Sequence, residues 1–196
     1  DVNKSKLVVV LGMHRSGTSA VTRGLGVLGI KLGNNLVPAA IDNPTGFWED
    51  REFLGINEEL LASLGAGSDR LGLIDWKLPE TTTITSLKVR AEEIVGEKCS
   101  QNAVWAFKDP RTARLLPFWK PVFESVDCEL CYVIVTRNPL SIVKSLYERN
   151  SFESEKTFYL WLEHIIPSVL RSTGATRVVI DYDRLLDNPE AQLLRL

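Results

Sequence analysis

The segment Gly12-Met-His-Arg-Ser-Gly-Thr-Ser19 holds two glycines followed by two hydroxyl residues. That spacing lets successive backbone N–H groups face a phosphate, and the helix expected just after it adds the positive end of its dipole. Ser16, Gly17, Thr18 and Ser19 are the candidate phosphate donors. Three further polar segments, Lys108-Asp-Pro-Arg111, Arg137-Asn138 and Asp181-Tyr182, each follow an apolar run. Arg15, Lys108, Arg111 and Arg137 would make one locally cationic cleft, although the chain carries 23 Lys and Arg against 25 Asp and Glu. An anionic ligand is implied. The nucleotide-hydrolase loop places Lys after its second glycine, where this chain has Thr18, so the usual contact to β- and γ-phosphates is missing. The loop's own cation is Arg15. Two groups are placed to move a proton: Glu49, whose neighbours Phe47 and Trp48 would raise its pKa, and His14. Glu49 also reads as a charge at a helix start. His164, in an apolar helix, reads as a core or surface residue.

These residues need a scaffold that brings distant segments together. Four β-branched or apolar runs read as strands: Lys6–Leu11, Ala103–Phe107, Leu130–Thr136 and Arg177–Asp181. Three of them are almost continuously hydrophobic, as strands buried on both faces are. Helix-period stretches lie between them: one from Gly17 to about Leu28, then Asp50–Leu64 and Ser86–Lys98, and a helix opened by Asn138-Pro139. Ser154–Arg171 is a further helical stretch, which Pro167 should kink or split. Gly65–Pro79 reads as loop. The alternation predicts an α/β fold of three layers, P-loop-like, with a mostly parallel central sheet. Ligands of such sheets bind at the carboxyl ends of the strands, at a topological switch point.

Composition narrows the class. The 196 residues, 24% charged and 44% hydrophobic, fit one domain spanning 1–196. No apolar run reaches the roughly 20 residues that span a bilayer, and no basic excess points to nucleic acid. Three cysteines, Cys99, Cys128 and Cys131, are too few for a disulfide scaffold and indicate a reducing, cytoplasmic setting. Cys128 and Cys131 have metal-motif spacing, but on a strand their sulfurs diverge. With no His/Cys ligand cluster, no metal site is expected.

Gly12–Ser19 resembles the 5′-phosphosulfate loop of sulfotransferases that use 3′-phosphoadenosine 5′-phosphosulfate (PAPS). Arg137-Asn-Pro-Leu-Ser-Ile-Val-Lys-Ser145 resembles the same family's 3′-phosphate motif. Asn43-Pro-Thr-Gly-Phe-Trp-Glu-Asp50 is similar to the intervening segment of bacterial-type members, and Tyr182-Asp-Arg-Leu-Leu-Asp-Asn-Pro189 to the stretch before the family's C-terminal helix. The resemblance implies that Gly17, Thr18 and Ser19 hold the 5′-phosphate, that Arg137 and Ser145 hold the 3′-phosphate, and that Arg15 takes the leaving-oxygen role many members give to Lys. It implies Glu49 or His14 as base, with Lys108 and Arg111 on the acceptor side or forming a structural corner through Asp109. It also implies that the chain stops at Leu196, short of the family's extreme C-terminal part.

Two other readings share the residues: a P-loop small-molecule kinase, suited by Val178-Val-Ile-Asp181, and a non-catalytic nucleotide-binding module. The acceptor loops, Leu32–Asp42 and Gly65–Thr83, carry no motif. Carbohydrate, lipid-linked, peptide and small-molecule acceptors therefore all stay open.

Overall fold

A computed structural model describes residues 4–41, 43–76 and 81–196. The expected acceptor loops thus reach, at Asp42 and at Lys77–Glu80, outside the described residues. Four strands form one all-parallel sheet: β1 (Lys6–Leu11), β2 (Val104–Lys108), β3 (Glu129–Thr136) and β4 (Thr176–Asp181). Their spatial order is β2-β1-β3-β4, with Lys6 aligned to both Val104 and Glu129. Each strand was legible to within a residue, because four or more of its side chains are apolar or β-branched.

Alternation along β1 divides the core in two. Leu7, Val9 and Leu11 face one layer, where Phe53, Leu87 and Trp119 come from α2 (Arg51–Ser63), α3 (Thr82–Gln101) and α4 (Thr112–Ser125). Val8 and Val10 face the other, with Val21 and Leu25 of α1 (Thr18–Val27) and Leu185 of α7 (Tyr182–Asp187). Helices α5 (Pro139–Asn150) and α6 (Ser154–Arg171) share a smaller cluster in which Ile142, Leu146 and Leu160 enclose Met13. A short α8 (Pro189–Leu193) follows.

Several elements depart from expectation, the short α7 and α8 among them, since no helix was expected over residues 182–193. Helix α3 begins earlier than Ser86 because Thr81 caps it, its side chain accepting from Ile84 N–H at 3.2 Å. Helix α4 was not foreseen, since Pro117 and Pro121 obscure a segment in which nine residues are buried. Pro167 does not split α6, whose Leu160, His164 and Ser168 stay buried on one side. The sulfurs of Cys128 and Cys131 do diverge, Cys128 packing beside the α2–α3–α4 layer and Cys131 beside the opposite one, and all three cysteines are free.

Chain direction explains where the site lies. After β1 the chain moves to β2 on one side, and after β3 it moves to β4 on the other. The crevice between the carboxyl ends of β1 and β3 is therefore the topological switch point. The glycine-rich loop leaves β1 through Gly17, whose φ of 92° lies in the left-handed region. A Cβ there would stand 2.1 Å from the Tyr182 ring. Gly17→Ala is accordingly expected to cost at least about 1–2 kcal/mol from the backbone alone, lowering Tm by about 2–8 °C in a chain of this length. Thermal unfolding checks this; an unchanged Tm would mean that the ring does not pack on Gly17.

Candidate active site between the carboxyl ends of the strands

A cleft of about 670 Å³ opens over this crevice. Its walls draw on the end of every strand: His14, Arg15, Gly17, Thr18 and Ser19 after β1, Lys108 and Pro110 after β2, Arg137 after β3, and Tyr182 after β4. The side chains of two predicted loop donors are engaged by the protein itself, one within the loop and one outside it. Ser16 is buried, and both its hydroxyl and its N–H donate to the Met13 carbonyl. Ser19 Oγ donates to the Phe47 carbonyl at 3.2 Å, tying the loop to the segment that carries Glu49.

Arg15, another left-handed residue at φ 67°, donates from Nε to Ser145 Oγ at 2.8 Å. Arg137 Nη1 donates to the Arg15 carbonyl at 3.0 Å across 122 residues of sequence, and its guanidinium lies 5.2 Å from the centre of the Tyr182 ring. Arg15, Arg137 and Ser145 thus meet at one place. Asn138 caps α5 by accepting from Leu140 N–H, so the start of that helix lies beside Arg137.

Glu49 stands on the other side of the loop. Backbone pairing of Val37 N–H with the Glu49 carbonyl at 2.7 Å, and of Arg51 N–H with the Asn35 carbonyl at 2.9 Å, fixes its position. Trp48 before it is held at φ 60°, local strain of the kind that clusters at functional sites. Glu49 is buried; Lys108 Nζ donates to its Oε1 at 2.7 Å, and Arg111 Nη1 lies 3.7 Å from Oε2. Burial pushes the Glu49 carboxyl above its ordinary value, with Lys108 pulling it down, and burial lowers the fully enclosed Lys108. Asp109 accepts from Arg111 N–H and from its Nη1, each at 2.9 Å. Lys108-Asp-Pro-Arg111 is therefore a structural corner and, at the same time, the cationic wall around Glu49. Buried Asn57 bonds Thr112 Oγ1 and Trp119 Nε1 at 3.2 and 2.7 Å, locking α2 to α4 and so Glu49 to Lys108.

His14 lines the cleft and a smaller chamber of about 180 Å³, as do Phe47, Glu49, Pro110 and Arg149. Arg111, Arg114, Ser68, Asp69 and His164 complete the chamber's polar wall. Burial, reinforced by Arg149 and Arg111, depresses the His14 pKa to about 3. Its ring meets that of His164 edge-on at 5.8 Å. His164 is buried, with Nδ1 2.6 Å from the Leu160 carbonyl, so it supports His14 from α6. Arg149 was missed, although it lies four residues after Ser145 and hence on the same face of α5. His164, Asp69 and Asp183 carried no recognisable signal.

No metal-ligand group of His, Cys, Asp and Glu occurs among the described residues, and none of their helices is long and apolar enough to cross a membrane. No protein-family model matches the sequence, and no curated protein matches it. Solved structures do. The sulfotransferase domain from the curacin biosynthetic pathway is similar over 97% of this chain and 72% of its own, with TM-score 0.54 and 14% identity. A provisionally described kinase from Chloroflexus aurantiacus is similar over 100% of this chain and 96% of its own, with TM-score 0.52 and 13% identity. At such identities the likeness speaks for architecture alone: the chain has a P-loop-like α/β fold with an all-parallel central sheet.

Proposed function

We propose that this protein is a sulfotransferase that moves the sulfuryl group of PAPS to a hydroxyl or amine acceptor. The observation that carries the reading is the meeting of Arg15, Arg137 and Ser145 beside a lysine-free phosphate loop. The donor set fits the co-substrate: Gly17, Thr18 and Ser19 open the α1 N-terminus to a 5′-phosphate, while Arg137 and Ser145 offer charged and hydroxyl donors to a 3′-phosphate. PAPS supplies the sulfuryl group and a phosphate leaving group when bound. Arg15 stabilises charge growing on the leaving oxygen; the acceptor occupies the smaller chamber, which Arg111 lines, while Lys108 lines the adjoining cleft. Glu49 takes the acceptor proton. Its carboxyl, raised by burial, suits that task better than His14, which at a pKa of about 3 is a weak base. His14, neutral at working pH, orients the acceptor.

The kinase reading asks Asp181 to hold magnesium. Its Oδ1 instead accepts from Asp183 and Arg184 N–H at 2.9 and 3.2 Å, capping α7 at the edge of the sheet. Those contacts favour the sulfotransferase reading. Incubation with radiolabelled PAPS and a mixed acceptor library, without magnesium, tests it: a labelled product supports transfer, whereas labelling only from ATP with magnesium overturns it.

The 3′-phosphate assignment has its own test. Hydrogen bonds to charged groups contribute about 1.5–3 kcal/mol each, so Arg137→Ala is expected to weaken 3′,5′-ADP binding by about 10- to 100-fold. AMP affinity should hardly change. Calorimetry with both ligands measures this, and equal losses would make Arg137 a support of the fold.

A further inference from the structure

We infer that Asp183 is a specificity-determining residue: its carboxylate competes with the ligand's 3′-phosphate for Arg137 and the start of α5. The inference rests on the reading of Arg137 and Ser145 as the 3′-phosphate site. Asp183 Oδ2 accepts from the Asn138 backbone N–H at 2.8 Å, and its Oδ1 lies 3.6 Å from Arg137 Nε. That nitrogen is buried and makes no hydrogen bond, since the ion-pair distance is too long for one. The guanidinium is thus offset from its counter-ion, held by the Arg15 carbonyl on Nη1 and by the Tyr182 ring. Asp183 itself is fixed from behind, its N–H donating to Asp181 Oδ1. Cap, carboxylate and ring arrive together on the β4–α7 junction.

The consequence is electrostatic. A phosphate seated on Arg137 and Ser145 comes within a few ångström of a fixed carboxylate, and like charges at that range repel appreciably even near a protein surface. Asp183 therefore narrows the preference for a 3′-phosphorylated nucleotide over its unphosphorylated counterpart. A ligand lacking the 3′-phosphate pays no such penalty, because it leaves the Asp183 contacts in place.

Calorimetry with 3′,5′-ADP and AMP on wild type, Asp183→Asn and Asp183→Ser tests this. Both variants remove the charge, and Asn keeps an oxygen within reach of the Asn138 N–H. The expected result is that 3′,5′-ADP binds about tenfold more tightly to the variants, with AMP affinity unchanged; AMP binding also shows that the phosphate loop is folded. If wild type prefers 3′,5′-ADP and both variants bind it no better, or more weakly, Asp183 is a structural support and the inference falls while the 3′-phosphate reading stands. Equal affinities for the two ligands in all three proteins would overturn the reading of Arg137 itself, and the inference with it.

Discussion

Exchange of Glu49 for Gln is expected to lower kcat for sulfuryl transfer by about 10²–10⁴, the range lost with a general base, while 3′,5′-ADP affinity stays the same. Gln keeps the shape and a hydrogen-bond acceptor for Lys108, but takes no proton. The variant also leaves Lys108 without its counter-charge at 2.7 Å, and removing one partner of a buried pair costs about 3–5 kcal/mol. Burial already lowers the Lys108 pKa, so deprotonation of its amine can relieve part of that cost. Stability and catalysis are separated by the double variant Glu49→Gln, Lys108→Met, which should recover thermal stability without recovering turnover. The pH profile adds a second check: the acid limb of kcat, set above the ordinary glutamate range by burial of Glu49, should vanish in Glu49→Gln. If His14→Ala removes that limb instead, His14 is the base.

Arg15→Ala should lower kcat by about 10²–10³, the loss typical of a donor aimed at developing charge. Its backbone carbonyl remains in place for Arg137, so the anion site persists. Arg15→Lys keeps the charge but not the Nε contact to Ser145 at 2.8 Å, and should retain part of the rate. Single-turnover kinetics with circular dichroism on both variants separates chemistry from folding. A folded Arg15→Ala enzyme with wild-type kcat would remove Arg15 from the mechanism. Absence of transfer in wild type with every acceptor, together with tight 3′,5′-ADP binding, would instead favour the non-catalytic nucleotide-binding module.

The sheet was legible because its signal is local: apolar β-branched runs show themselves without knowledge of their partners. The loop between β1 and α1 was legible for the same reason, as its glycines and hydroxyls are contiguous. Arg15, Lys108 and Arg137 were expected on one cleft through the rule that strand ends converge, whereas Ser145 and Glu49 were placed with them by the resemblance. The pairing of Arg15 with Ser145 and of Glu49 with Lys108 depends on α1, α2 and α5 docking in three dimensions. Helix α4 escaped because its two prolines argue against a helix locally, while burial of Leu115, Leu116, Trp119 and Phe123 overrides them. Asp183 escaped for an electrostatic reason, since a carboxylate is not sought in a site read as cationic.

The contact of Gly17 with Tyr182 bears on the order in which this molecule becomes competent. Gly17 is translated well before Tyr182, whose ring packs on it and is stacked under Arg137. At about 5–20 residues per second, synthesis of the intervening sequence takes tens of seconds at the slower rate. Throughout that interval the nascent chain has its glycine-rich loop without the wall that closes it. Under the proposed reading, nucleotide capture is therefore a late event in the life of the polypeptide, and ligand binding would report that β4 and α7 have been added to the sheet.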